Sequence, residues 1–145
     1  MREIYKKIVL SVDGQERTFR LKKLDAFSGA QLLQLMRKYL PGAEREAEKE
    51  NGKVRVANLV EPVFMALSPG ELKELMMTAL GHTEVQLEAG YQKVMEMGEW
   101  GWPELEHDAG SCLRITLESV LWSLEGFFGG AGSRSRPEES MYAIF

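Results

Sequence analysis

The sequence predicts an α+β fold, with an N-terminal β-hairpin packed on a mainly α-helical body and a flexible C-terminal tail. Three observations lead to this prediction: residues 3–23 alternate like paired strands, four later segments have helical spacing, and a Gly/Ser-rich stretch follows residue 128. The 145 residues are enough for one domain with its own core. We therefore predict a single α+β domain at residues 1–128 and a tail at residues 129–145.

The predicted hairpin turns at Asp13-Gly14, a pair typical of tight turns because glycine accepts positive φ. Period two places the apolar residues of both strands on one face: Ile8, Leu10, Val12, Phe19 and Leu21. The other face carries basic residues: Lys7, Arg20 and Lys22. We expect one side of the hairpin to be buried and the other to be wet.

Apolar residues at helical spacing predict four helices, at about 28–40, 56–67, 69–80 and 111–128. Ser28 is the expected N-cap of the first helix, and Pro41-Gly42 is expected to stop it. The second helix contains Pro62, which is expected to interrupt or kink it.

The third predicted helix has the clearest start signals. Ser68 is its expected N-cap, Pro69 takes the first helical position, and Glu71 has the spacing of a capping box. Gly81 is expected to end this helix. The segment that follows, residues 83–98, fits either a strand or a short helix, and the sequence leaves this choice open.

Composition restricts the classes of function. The net charge of −4 divides into +5 over residues 1–58 and −9 over residues 59–145. The two oppositely charged parts could attract each other between copies of the chain, head to tail. Alternatively, both are simply charged surfaces in contact with solvent. Since no apolar run approaches the roughly 20 residues that cross a membrane, we expect no membrane partner. The lone cysteine fits a reducing, cytoplasmic setting. The single cysteine excludes an internal disulfide and cannot form a zinc site alone.

The sequence argues against a nucleic-acid partner. The hairpin carries a basic cluster that could touch phosphates: Lys6, Lys7, Arg17, Arg20, Lys22 and Lys23. The chain is acidic overall, however, and we expect no aromatic side chain among those charges on the wet face.

Residues 98–112, GEWGWPELEHDAGSC, concentrate the residue types that could carry chemistry. His107, Asp108 and Cys112 are the components of a nucleophilic thiol site, and a helix N-terminus at Cys112 would lower the pKa of the thiol. The three are crowded in sequence, and His107 and Asp108 share one short loop without an evident oxyanion pocket. We therefore expect a tight corner in which Asp108 starts the last helix. His82, His107 and Cys112 have no recognised metal-ligand spacing. We therefore predict no catalytic, metal or cofactor site.

Large aromatic residues are the candidates for partner binding. Trp100 and Trp102 are expected to fill space beneath the loop, unless one stays exposed as a binding hot spot. An apolar surplus near the last helix completes the candidate set: Trp100, Trp102, Trp122, Phe127 and Phe128. The abundant methionines suit an adaptable core and a protein-binding groove equally well.

Three segments resemble, in order and pattern, the tail assembly chaperones of long-tailed bacteriophages and prophages. They are VDGQERTFRLKKLDAFSGAQLLQLM, ANLVEPVFMALSPGELKELMMTAL and CLRITLESVLWSLEGFF, and the resemblance covers roughly residues 4–128. It implies a non-catalytic protein that binds the tape-measure protein, keeps it soluble and helps to recruit tail-tube subunits. It further implies self-association, a place in the host cytoplasm and absence from the mature virion.

The resemblance also raises the expectation of a longer, frameshifted form that departs from the linker GGAGSRSRPEES. Three other classes remain open at the level of sequence. One is a structural virion component, such as a head–tail connector or tail-completion protein. The others are a small enzyme that uses Cys112 and His107, and a nucleic-acid regulator that uses the hairpin.

Overall fold

An antiparallel sheet and four helices carry the fold in this computed structural model, which describes residues 3–46, 49–50, 53–54 and 56–128. Side chains are described at residues 3–41 and 60–126. The four strands of the sheet lie in the order β1 (Tyr5–Val12), β2 (Gln15–Lys22), β5 (Thr83–Leu87) and β6 (Gly90–Lys93). Two short strand pairs accompany them: β3 (Lys49–Glu50) with β4 (Lys53–Val54), and β7 (Met95–Glu96) with β8 (Glu99–Trp100). The helices are α1 (Ala26–Glu46), α2 (Val56–Ala66), α3 (Pro69–Gly81) and α4 (Ala109–Phe128), which confirms the α+β class.

The N-terminal hairpin folds as its alternation predicts. Asp13 and Gly14 both have positive φ, 50° and 79°, which suits a two-residue turn between antiparallel strands. Phe19 is fully buried on one face of the hairpin. On the other face Lys7 lies directly opposite Arg20. The buried residues of the hairpin therefore lie on one side, where Ile8 and Leu10 are half-buried, and exposed charge lies on the other.

The segment left open by the sequence forms strands. β5 and β6 make a second hairpin, and β5 pairs with β2, where Phe19 lies opposite Val85 and Arg20 lies opposite Glu84. Two hairpins that are far apart in the chain thus join into one sheet. Among the described residues β1 is an edge strand of this sheet, with β2 as its neighbour.

The described residues divide into two compact units. Unit 1 comprises those within 1–25 and 73–119, and unit 2 comprises those within 26–72 and 120–128. The assignment of residues 1–128 to a single domain stays a prediction. The tail predicted at residues 129–145 lies outside the described residues.

Unit 1 has an apolar core drawn from the sheet, α3, the loop before α4 and α4 itself. Its buried apolar residues are Val12, Phe19, Leu21, Leu75, Ala79, Leu80, Val85, Val94, Met95, Trp102, Leu105, Cys112 and Ile115. Two buried threonines satisfy their hydroxyl groups locally: Thr83 donates to the Ala79 carbonyl and Thr116 donates to the Cys112 carbonyl, each at 2.8 Å.

Unit 2 has a helical core, in which α1 packs against α2. Its buried apolar residues are Leu32, Met36, Leu40, Val60, Val63, Val120 and Leu124. On α1 these residues follow each other at intervals of four, which places them on one face of the helix.

The predicted ends of α1 are wrong. The helix begins at Ala26, so Ser28 lies inside its first turn and Asp25 takes the preceding position. It also continues through Pro41 to Glu46. The proline removes one hydrogen bond and crowds the preceding turn, but the Ala/Glu/Arg run after it favours a helix. α2 likewise runs through Pro62 without interruption. No helix in the described part of the chain is long and apolar enough to cross a membrane.

The predicted capping box of α3 is confirmed. The Glu71 backbone N–H donates to Ser68 Oγ at 3.1 Å, and the Ser68 N–H donates to Glu71 Oε1 at 2.9 Å. The Tyr39 hydroxyl donates to the same carboxylate, and Lys38 Nζ donates to it at 2.9 Å. Led by the Tyr39 hydrogen bond, these donors lower the pKa of the Glu71 carboxyl to about 2.

Candidate functional site

The loop before α4 is a tight corner. The Gly101 and Trp102 backbone N–H groups both donate to the Val94 carbonyl, at 2.9 and 3.2 Å. A Cβ at Gly101 would lie 2.4 Å from the Lys93 carbonyl oxygen, so the backbone approaches too closely for any side chain. A single turn of 3₁₀ helix, Pro103–Leu105, then leads towards α4.

Trp102 belongs to the core of unit 1. It is 6% exposed, and its ring meets Phe19 edge-on, with 5.9 Å between centroids and 66° between planes. The Arg17 guanidinium lies 5.7 Å from the centre of the same ring. Trp102 therefore offers almost no surface to a partner, which removes it from the candidates for partner binding.

The thiol of Cys112 is not arranged as a nucleophile. Cys112 is buried, and its Sγ donates to the Leu105 carbonyl at 3.4 Å. Burial, followed by the Asp108 charge, raises the pKa of the thiol to about 11. The expectation that the helix N-terminus lowers this pKa is thus wrong, because desolvation of the thiolate outweighs the helix dipole here.

The other two residues of the expected thiol site, His107 and Asp108, have other partners. The His107 side chain is 92% exposed and lies 3.6 Å from the Glu106 carboxylate. Asp108 caps α4 as predicted: it accepts from the Ser111 N–H at 3.0 Å and from the Ser111 hydroxyl at 2.8 Å. Each of His107, Asp108 and Cys112 thus has a different partner, and the three do not form a nucleophilic site.

Histidine and carboxylate residues do not converge on a metal site in the described residues, where no group of three potential ligands occurs. The Nδ1 atom of His82 lies 2.8 Å from the Thr78 carbonyl oxygen, and its Nε2 lies 3.6 Å from an Asp25 carboxylate oxygen. These contacts connect α3 to the end of the first hairpin within unit 1.

The expectation that no aromatic side chain lies among the charges of the wet face is wrong. The Arg20 guanidinium lies 4.2 Å from the centre of the Tyr5 ring and 3.8 Å from that of the Tyr91 ring. Its Nε and Nη2 donate to Glu84 Oε1 at 2.9 and 2.6 Å, and this contact raises the pKa of Arg20. Tyr91 was missed because its strand lies in the segment that the sequence left open.

Exposed apolar residues gather at the β7–β8 turn. Met97 is 97% exposed and has a φ of 53°, a conformation that costs a side-chain-bearing residue free energy. A Cβ at Gly98 would lie 3.3 Å from Met77 Cε, so the exposed Met77 of α3 rests against the turn. Trp100 follows, half-buried. We call Met77, Met97 and Trp100 the methionine patch.

Of the remaining aromatic candidates, Trp122 is half-buried on α4, in unit 2. Phe127 and Phe128 form the end of α4, and their side chains lie outside the described residues. Sequence reasoning had not selected Met77 or Met97 for partner binding. The signal for Met97 was the Met-Gly pair between Glu96 and Glu99, which is a two-residue turn with an apolar residue at its tip.

Comparisons with protein-family models, with curated proteins and with solved structures found no match for this chain.

Proposed function

We propose that this protein is a non-catalytic tail assembly chaperone of a long-tailed bacteriophage or prophage. It binds the tape-measure protein in the host cytoplasm, helps to recruit tail-tube subunits and leaves before the virion is complete. The resemblance of residues 4–128 in element order and pattern supports this proposal.

The observation that carries the proposal is the methionine patch. Met97 has positive φ and is 97% exposed, so it contributes nothing to the core and its apolar side chain is open to a partner. Methionine side chains are flexible and polarisable, which suits a surface that must accept many apolar helix faces in turn. Trp100, half-buried in the adjoining strand β8, adds an aromatic side chain to this segment.

Co-expression tests the proposal directly. The partner is the large helix-rich protein encoded just downstream in the native gene cluster, expressed with and without this chain. We expect the partner to be soluble only when this protein is present, and the two to co-purify. A partner that is soluble alone and never co-purifies would contradict the proposal.

Single substitutions test whether the methionine patch binds the partner. Met97→Gln should lower the recovery of soluble partner at least tenfold, because it removes apolar contact surface at the turn. Met65→Gln is the matched control, since Met65 is also 80% exposed but lies on α2 in unit 2. Equal losses from both substitutions would count against the methionine patch.

Mass spectrometry of purified particles separates the proposal from its alternative. A head–tail connector or tail-completion protein stays in the virion, whereas a chaperone is absent from it. Detection of this chain at several copies per particle would favour the structural virion component.

A further inference from the structure

We propose that the outer edge of β1, beside which the described residues place no strand, is a docking site for an extended, acidic–apolar segment of a partner protein, which adds to the sheet as a fifth strand. This site is independent of the methionine patch and of the chaperone proposal. It is defined by backbone hydrogen-bonding groups, by exposed apolar side chains and by charge.

Hydrogen bonding determines which backbone groups are free. The Lys23 N–H donates to the Ile4 carbonyl at 2.7 Å, so Ile4 and Lys23 are a hydrogen-bonded pair of the β1–β2 ladder. Such pairs alternate along an antiparallel ladder. Even-numbered residues of β1 therefore bond to β2, and the odd-numbered ones direct their N–H and C=O groups to the open edge. These are Tyr5, Lys7, Val9 and Ser11.

Apolar side chains follow the same edge. Val9 is 58% exposed, and Ile4 and Tyr5 are exposed as well. Ile8 and Leu10, on the inner face, are only half-buried. An added strand would cover both faces of this row, because its side chains alternate in step with those of β1.

Charge selects the chemistry of the partner. β1 carries Lys6 and Lys7 and no acidic residue, and Lys22 lies directly opposite Tyr5 on β2. A second copy of β1 would bring two further positive charges to this edge. A segment with carboxylates opposite Lys6 and Lys7 would neutralise them, so an acidic segment fits better than a second copy.

Two labelled peptides test this assignment by fluorescence anisotropy with the full chain. The acidic probe has the order Thr-Val-Ile-Val-Glu-Glu-Thr, which places apolar residues opposite Leu10, Val9 and Ile8 and carboxylates opposite Lys7 and Lys6. The control probe replaces both Glu residues by Lys. We expect the acidic probe to bind at least tenfold more tightly, and the preference to reverse in the K6E/K7E double variant.

A proline substitution tests the backbone contribution. Val9→Pro removes an N–H that faces the open edge and leaves the β1–β2 hydrogen bonds in place, so it should weaken the acidic probe at least tenfold. Val9→Thr keeps the N–H and should weaken it less than Val9→Pro. Circular dichroism checks that each variant is folded. If the Val9→Pro variant does not fold, the K6E/K7E variant still tests the proposal.

Three results would overturn the proposal. Equal affinity of the two probes would show that charge does not select the partner. Undiminished binding by a folded Val9→Pro variant would show that the edge backbone is not used. Concentration-dependent dimerisation that Val9→Pro abolishes, measured by sedimentation, would assign the edge to a second copy of the chain.

Discussion

At the scale of single residues, a reactive side chain and an apolar one do not lie where their chemistry alone would place them. Cys112 is buried beneath a 3₁₀ turn, whereas Met97 stands exposed at a turn with positive φ. Trp102 fills the core of unit 1 and Trp100 is half-buried, although the two are separated by one glycine. The two tryptophans on either side of the Gly101 corner therefore differ in burial.

The burial of Cys112 predicts a low reactivity of its thiol. With a pKa of about 11, only about one thiol in a thousand is ionised at pH 8. Ellman's reagent should therefore react slowly with the folded protein and rapidly after denaturation. Met97→Cys provides the control, because its thiol would be exposed in the same fold. Equally rapid reaction of Cys112 in the folded wild type would contradict its burial.

The sequence predicts such residues well when their partners are close along the chain. The Ser68–Glu71 box and the Asp108 cap each involve residues three positions apart, and both were identified correctly. The contact of Trp102 with Phe19 joins distant segments, so the sequence could predict burial but not the partner. The exposure of Met97 was not predicted, because an apolar residue is ordinarily assigned to the core.

At the scale of elements, α3 has several hydrogen bonds at its start. Its start is held by Ser68 and Glu71, and Glu71 also binds Tyr39 and Lys38 of α1. The predicted bounds of this helix agree with the structure because capping signals are local. The predicted end of α1 failed at Pro41, since the following residues favour a helix strongly enough to extend it.

The Glu71 contacts predict a loss of stability in acid. The carboxyl has its ordinary pKa of 4.5 in the unfolded chain and a pKa of about 2 in the folded chain, so the folded state binds the proton less tightly. Ionised Glu71 thus stabilises the fold above pH 4.5, and this contribution disappears as the pH falls from about 4.5 to about 2. Thermal unfolding over this range should show the loss in the wild type.

Glu71→Gln is the comparison, because glutamine has no charge to lose. It should unfold more easily than the wild type at neutral pH, and the two should approach each other near pH 2. Parallel pH profiles would contradict the role of Glu71.

Ser68→Ala removes the other half of the capping box of α3 and should lower the free energy of unfolding by about 1 kcal/mol at neutral pH.

At the scale of the whole molecule, unit 1 is discontinuous in sequence. Its first hairpin lies within residues 1–25, and the strand that pairs with it lies within residues 73–119. The α+β class was predictable from local periodicity. The pairing of β2 with β5 was not, because the alternating stretch of β5 is only five residues long and alternation does not identify the neighbour of a strand.

This arrangement predicts the behaviour of a fragment. A chain of residues 1–72 contains β1 and β2 but lacks β5, so Phe19 and Leu21 lose the strand beside them. We expect the hairpin of this fragment to be unfolded or the fragment to aggregate. Amide hydrogen exchange at β2 is the measurement. Native-like protection of β2 in the fragment would show that the hairpin is stable without β5.

The pairing of Arg20 with Glu84 has a consequence for biosynthesis, since 64 residues separate them. At a translation rate of about 5–20 residues per second, the ribosome needs roughly 3–13 seconds to synthesise that stretch. During this interval β2 lacks the strand that pairs with its second edge. The nascent chain therefore depends on the hairpin remaining unaggregated until β5 and β6 emerge.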